Sequence, residues 1–244
     1  MKPNLLSGLL AMLTLGHALP AQTFQSGPTA TALVELYTSE GCSSCPPAER
    51  WLSALKTDKN LWSQIVPIAF HITYWDDLGW PDPYARTAFT QRQHNYANAW
   101  NAHSIYTPEF VYQGREWHPG NLTPSPGCPG VLTLKRSSDG SGSLSFKPVA
   151  PSSAQFYDAS VAVLGADVSI KIRAGENAGR TLAHDFVALH LADILLVRAD
   201  DGTFTASFSA PPANLPAAPK HALIAWISSP NGMTPIQATG GWID

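Results

Sequence analysis

The order of apolar runs predicts an α/β N-terminal half followed by an all-β, sandwich-like antiparallel C-terminal half. Three observations carry this expectation. Strand-like runs alternate with helical stretches between Ala32 and Tyr112, the pattern of an α/β sheet. Seven Pro and Gly residues crowd the segment from Pro119 to Gly130, as at a domain boundary. Beyond it the helical period vanishes, and short apolar runs follow one another. Turn pairs such as Asp139-Gly140 and Asp201-Gly202 separate several of them. With 244 residues, 44% of them hydrophobic and 14% charged, the chain can pack one large or two modest domains.

The first residues have the pattern of a cleaved leader. Lys2 supplies a short positive region, Leu5 to Leu15 is apolar, and small residues follow at cleavage spacing up to Ala21. The apolar run is short for a bilayer span, which needs about 20 residues. The expected organisation is a signal peptide over 1–21, an α/β domain over 30–118, a linker over 119–130 and a β domain over 131–244. The mature protein is expected in the periplasm or outside the cell, with no membrane attachment.

Ala32-Leu33-Val34-Glu35-Leu36-Tyr37 reads as a buried strand. Thr38 to Gly41 is a turn. Pro46 and Pro47 suit a first helical turn, and Ala48 to Leu55 continues as an amphipathic helix. Val66 to Ile72 is a second strand, Tyr74 to Pro83 an aromatic and acidic loop, and Arg86 to Ala102 a helix. Thr107-Pro108 precedes a third strand, Glu109 to Tyr112. Further strands are expected at 131–134, 143–146, 160–164, 168–172, 186–191, 194–197, 204–208 and 222–227.

Cys42 and Cys45, two residues apart at a helix start, carry the strongest chemical signal. Free N–H groups and the helix dipole favour a thiolate there. Cys42 is expected to attack and Cys45 to resolve the mixed disulfide. Pro108, after a helix and before a strand, sits where a thioredoxin-like domain keeps a cis-proline beside its Cys pair. The N-terminal half is therefore expected to be an α/β thioredoxin-like domain. Glu35, mid-strand in a segment covered on both faces, either accepts the Cys45 proton or meets solvent at a half-exposed strand. The Glu40 charge opposes thiolate formation. The Tyr74–Pro83 loop reads as a plug between domains or a substrate rim. His71 reads as a structural histidine. Cys128 is unpaired and expected to be a bystander, and with the eight His scattered no zinc site is expected.

The stretch from Glu35 to Ala48, Glu-Leu-Tyr-Thr-Ser-Glu-Gly-Cys-Ser-Ser-Cys-Pro-Pro-Ala, resembles the signature of a family of exported bacterial proteins, the domain-of-unknown-function 1223 family. Tyr74 to Pro83, Tyr106 to Val111 and Gly175 to Leu182 agree with it. The resemblance runs from about Ala32 to the C-terminus. It implies a thioredoxin-like domain followed by a β-rich domain, and no established substrate. The functional expectation is an exported thiol–disulfide oxidoreductase acting on a protein or small-molecule thiol or disulfide. The alternatives are a binding module with a structural disulfide and a chaperone holding Cu(I) between Cys42 and Cys45. No flavin or nicotinamide motif is present, so no cofactor is expected. The net charge of −3, without a basic stripe, argues against a nucleic-acid partner.

Overall fold

The computed structural model describes residues 21–123 and 125–243. Apart from Ala21, the expected leader lies outside the described residues. Three strands of the N-terminal half form where the apolar runs place them, and two short strands, Gln22–Gln25 and Arg115–Trp117, are additional. β1 (Gln22–Gln25) precedes β2 (Ala32–Thr38), and β3 (Ile65–His71) runs parallel to β2 in register from Ala32–Ile65 to Thr38–His71. Two helices lie between the strands in sequence. α1 (Cys45–Ala54) has Pro46 and Pro47 in its first turn, where a missing N–H forfeits no intrahelical bond. α2 (Thr87–Trp100) ends on Asn101 in the left-handed region, φ 55°. β4 (Glu109–Tyr112) pairs antiparallel with β2, and β5 (Arg115–Trp117) adds the edge.

The period-two alternation of β2 decides which helix each side chain meets. Thr38 reaches Glu49 on α1, whereas Glu35 reaches Arg92 on α2. α1 packs Trp51 edge-on to Phe110 at 5.2 Å, and α2 packs Phe89 on Phe70 at 5.0 Å. β2 is buried along its whole length, as its near-continuous apolar sequence requires.

The remaining strands are β6 (Gly130–Arg136), β7 (Gly142–Pro148), β8 (Phe156–Ala166), β9 (Val168–Lys171), β10 (Thr181–His184), β11 (Val187–Arg198), β12 (Phe204–Phe208), β13 (Lys220–Ser228) and β14 (Pro235–Ile243). β9 and β10 form a separate two-stranded ribbon. The other twelve strands belong to one mixed sheet. β11 is the strand that unites it. Its first residue, Val187, pairs parallel with Ala69 of β3, its body pairs antiparallel with β8, and its end meets β12. The Ala69 N–H donates to the Phe186 carbonyl at 2.8 Å, sealing the junction.

This architecture overturns the expected fold class. The chain is not an α/β thioredoxin-like domain beside a separate antiparallel sandwich. It is mostly β, with two α-helices among the described residues and a sheet that runs across both halves. The reason lies in β8 and β13, which bury both faces. Ala162, Leu164, Ala222 and Ile224 pack in one core with Leu36, Phe70 and Phe186. Val161, Val163, Leu223 and Ala225 pack in a second core with Leu132, Leu144 and Phe146. A sandwich strand alternates apolar with polar residues, and these runs do not alternate.

The two runs at 186–191 and 194–197 form one long strand, β11, with a register shift between Ala188 and His190. β14 escapes a sequence reading because Gly240 and Gly241 interrupt its pattern. The structure explains Gly240: a Cβ there would lie 2.7 Å from the Leu223 carbonyl oxygen and 2.6 Å from Ile224 Cγ2 on β13. Gly240→Ala is expected to destabilise the fold by about 1–3 kcal/mol through overpacking. Urea denaturation measures this, and an unchanged midpoint would show that β13 and β14 separate without cost.

Candidate functional site

Cys42 lies in the turn after β2, and Cys45 opens α1. Their sulfurs are in disulfide contact, with Cα atoms 5.5 Å apart, within the range that a disulfide spans. The Cys42 Sγ also lies 3.2 Å from the Ser44 hydroxyl and 3.8 Å from the Thr107 carbonyl. The Thr107–Pro108 peptide is cis. Both cysteines are 0% exposed, so Cys42 is not the more accessible of the two. Only Ser43 and Ser44, directly between them, are exposed.

Three distant segments close around this turn. Trp75 donates its indole N–H to the Thr107 hydroxyl at 2.7 Å, tying the aromatic loop to the Pro108 turn. Trp80, from the same loop, donates to Glu40 at 2.6 Å. Asn177 donates to the carbonyls of both Glu40 and Cys42 at 2.9 Å, and the Ser43 N–H donates to Glu176 at 3.0 Å. The Tyr74–Pro83 loop is therefore a brace for the Cys turn. Cys128 is a free, exposed thiol.

Glu35 occupies a different place from the one a proton acceptor for Cys45 needs. It is fully buried and faces α2, on the side of β2 away from α1. Arg92 Nε donates to it at 2.7 Å, Tyr96 at 2.5 Å and Tyr37 at 3.1 Å. These three partners satisfy both carboxylate oxygens, and the half-exposed alternative fails with them. On the same face, burial, with the Glu116 and Glu35 charges, pushes the Glu109 carboxyl up to about 7 against a hydrogen bond from Gln93.

On the α1 face, below the Cys turn, sits a cluster that sequence reasoning missed. Glu49 lies one helical turn after Cys45, with its Oε1 accepting from Thr38 at 2.6 Å. His71 ends β3, and its Nδ1 lies 2.6 Å from Asp82. Asp82 also accepts the backbone N–H of Glu40 at 2.8 Å and of Tyr84 at 2.9 Å. His184 ends β10, with Nδ1 2.8 Å from Glu49 and Nε2 3.3 Å from Glu40. Burial lowers the affinity of His184 for a proton, but the Glu49 and Glu40 carboxylates outweigh it and raise the imidazole to about 10. Burial raises Glu49 and Asp82, yet His184 and His71 beside them leave both below the usual carboxylate range. His71 and His184 lie 113 positions apart in sequence, and no spacing rule relates them. The available signal was His71 at the end of an apolar strand.

A family model described as a protein of unknown function, DUF1223, matches residues 33–228, and the chain belongs to that family. No protein of curated function matches the sequence. Among solved structures, the chain is similar to a protein of Agrobacterium tumefaciens determined by X-ray crystallography. That similarity has 19% identity and a TM-score of 0.61, and covers 87% of this chain and 94% of the other. It is also similar to HBP35 of Porphyromonas gingivalis, with 16% identity, a TM-score of 0.63, and coverage of 88% of this chain and 76% of the other. At these identities the likeness concerns the fold alone.

Two outcomes follow from the α2 face. Arg92→Met leaves Glu35 buried without its cation and is expected to destabilise the protein by about 3–5 kcal/mol, read by urea denaturation. Glu109 has a folded-state pKa of about 7, above the ordinary value of 4.5. A raised carboxyl contributes stability that is complete below the lower value and lost as pH rises through the higher one. Stability should therefore fall between about pH 4.5 and 7. Glu109→Gln should flatten that part of the curve, and an unchanged curve would remove Glu109 as its source.

Proposed function

We propose that the Cys42–Cys45 pair performs reversible thiol–disulfide exchange with a protein or small-molecule thiol outside the cytosol. The observation that carries this reading is the close sulfur pair at the first turn of α1, against the Thr107 carbonyl and roofed by exposed Ser43 and Ser44. A partner thiolate attacks Cys42 Sγ, the Cys42–Cys45 bond breaks, and Cys45 leaves as a thiolate. A second partner thiolate then attacks the partner sulfur of the mixed disulfide and expels the Cys42 thiolate. The partner becomes a disulfide, and two electrons pass to the Cys pair. In the opposite direction the Cys42 thiolate opens a partner disulfide, expelling one partner thiolate, and Cys45 then attacks Cys42 Sγ and expels the second. The helix start favours the Cys45 thiolate. Pro46 and Pro47 lack two of the N–H groups that would otherwise help. Export rests on the Lys2–Ala21 pattern, and an oxidising compartment lets the disulfide persist.

Full burial of both sulfurs favours the other reading, a structural disulfide within a binding module. Redox titration with alkylation trapping separates the two. Exchange chemistry predicts a reduction potential above about −300 mV, and a lower value would make the bond structural. Cys128→Ser is expected to leave the potential within about 30 mV of the parent, because Cys42 and Cys45 satisfy each other.

A further inference from the structure

We propose that Glu49, His71 and His184 form a buried binding site for a divalent transition-metal ion, zinc foremost, independent of the cysteines. The three side chains offer ligand atoms that all lie within 4.8 Å of one another, and they are 5%, 0% and 2% exposed. Two imidazoles and a carboxylate suit zinc, which binds such a set at about 2.0–2.2 Å with its tetrahedral ligand atoms about 3.3 Å apart.

The orientation of the nitrogens points to a shared third atom. His71 Nε2 is buried and has no hydrogen-bond partner. Both His184 nitrogens lie within ion-pair distance of carboxylates, yet neither meets hydrogen-bond geometry with them. Groups that converge on one ion sit close together without aiming at one another.

Two of the three ligands also have the hydrogen-bonded outer partner that a metal site needs, and the third has a carboxylate close by. Metal-bound histidines hold their second nitrogen on a carboxylate or carbonyl, which fixes the tautomer and raises basicity. Asp82 takes that place at His71 Nδ1, freeing Nε2 for the ion. Glu40 Oε1 lies 3.3 Å from His184 Nε2, within ion-pair distance but outside hydrogen-bond geometry, and Nδ1 lies beside Glu49. Thr38 holds Glu49 Oε1 and leaves Oε2 as the ligand atom. Asp82 is in turn fixed by the Glu40 and Tyr84 backbone, and Glu40 by Trp80.

Charge gives the same direction. Glu40, Glu49 and Asp82 are all buried, and among the described residues their only ion-pair partners are His71 and His184. Buried anions without Lys or Arg call for protons or a cation. The competing occupant is a proton on His184, which zinc must displace.

The site is closed, so the ion enters as the chain folds. The tag-free protein is unfolded in guanidinium with a chelator, refolded with or without zinc chloride, desalted, and assayed for bound metal by mass spectrometry. About one zinc per chain is expected, retained when Cys42 and Cys45 are both replaced by Ser and lost in His71→Ala. The isosteric Glu49→Gln serves if the alanine variant fails to fold, and Asp82→Asn should weaken zinc binding about 10–100-fold. Cobalt refolded into the unmodified protein should show the visible spectrum of a tetrahedral nitrogen–oxygen site without thiolate charge-transfer bands. Absence of zinc after refolding would leave the proton as the occupant and overturn the proposal. Zinc that survives Glu49→Gln at full affinity, or that is lost with the cysteines, would overturn it as well.

Discussion

Three carboxylates, Glu40, Glu49 and Asp82, lie buried at one end of β2 and β3, and a low-dielectric interior tolerates none of them alone. They come from a turn, a helix and a loop, and the histidines that answer them come from β3 and β10. Meeting this one requirement brings the Cys turn, α1, the aromatic loop and the β9–β10 ribbon to a single point. Asp82 alone reaches three groups, His71 and the backbone of Glu40 and Tyr84. The geometry of the Cys pair is therefore set from below, by electrostatics, as well as by the local turn.

The opposite face of β2 solves the same problem differently. Glu35 is buried as deeply, but an arginine and two tyrosine hydroxyls saturate it. Arg92 adds packing over the faces of Phe70, Tyr96 and Trp226, at 5.0–5.6 Å from the ring centroids. A saturated carboxylate held by a guanidinium is a structural element. The α1 face, with an unpartnered His71 Nε2, retains capacity to bind something. The two faces of one strand thus separate scaffold from site.

Continuity of the sheet gives the site a rigid base. β11 leaves β3 at Ala69–Val187 and carries the hydrogen-bonded network into β8, β13 and β14. His184 is only three residues from that junction, so its position is tied to the meeting of the two halves of the chain. Gly175 to Leu182, which folds over the Cys turn, is anchored by the same ribbon.

Local pattern was enough for the elements themselves. The apolar runs of β2, β3 and β12, the Pro46–Pro47 helix start and the Cys42–Cys45 spacing all act over a few residues, where propensity and hydrogen-bond geometry decide. The Thr107–Pro108 turn beside the cysteines was legible from element order. Whether the halves stand apart or share a sheet was not, because that depends on which buried face of β8 and β13 meets which partner, and many of those partners are distant in sequence. The role of Glu35 was undecided, and His71 read only as a structural histidine, for the same reason. A strand's alternation assigns a side chain to a face, but only tertiary packing places an arginine over one face of β2 and a second histidine beside the other. Burial turns those placements into chemistry, since a charge in the interior takes its properties from the groups within a few ångströms of it.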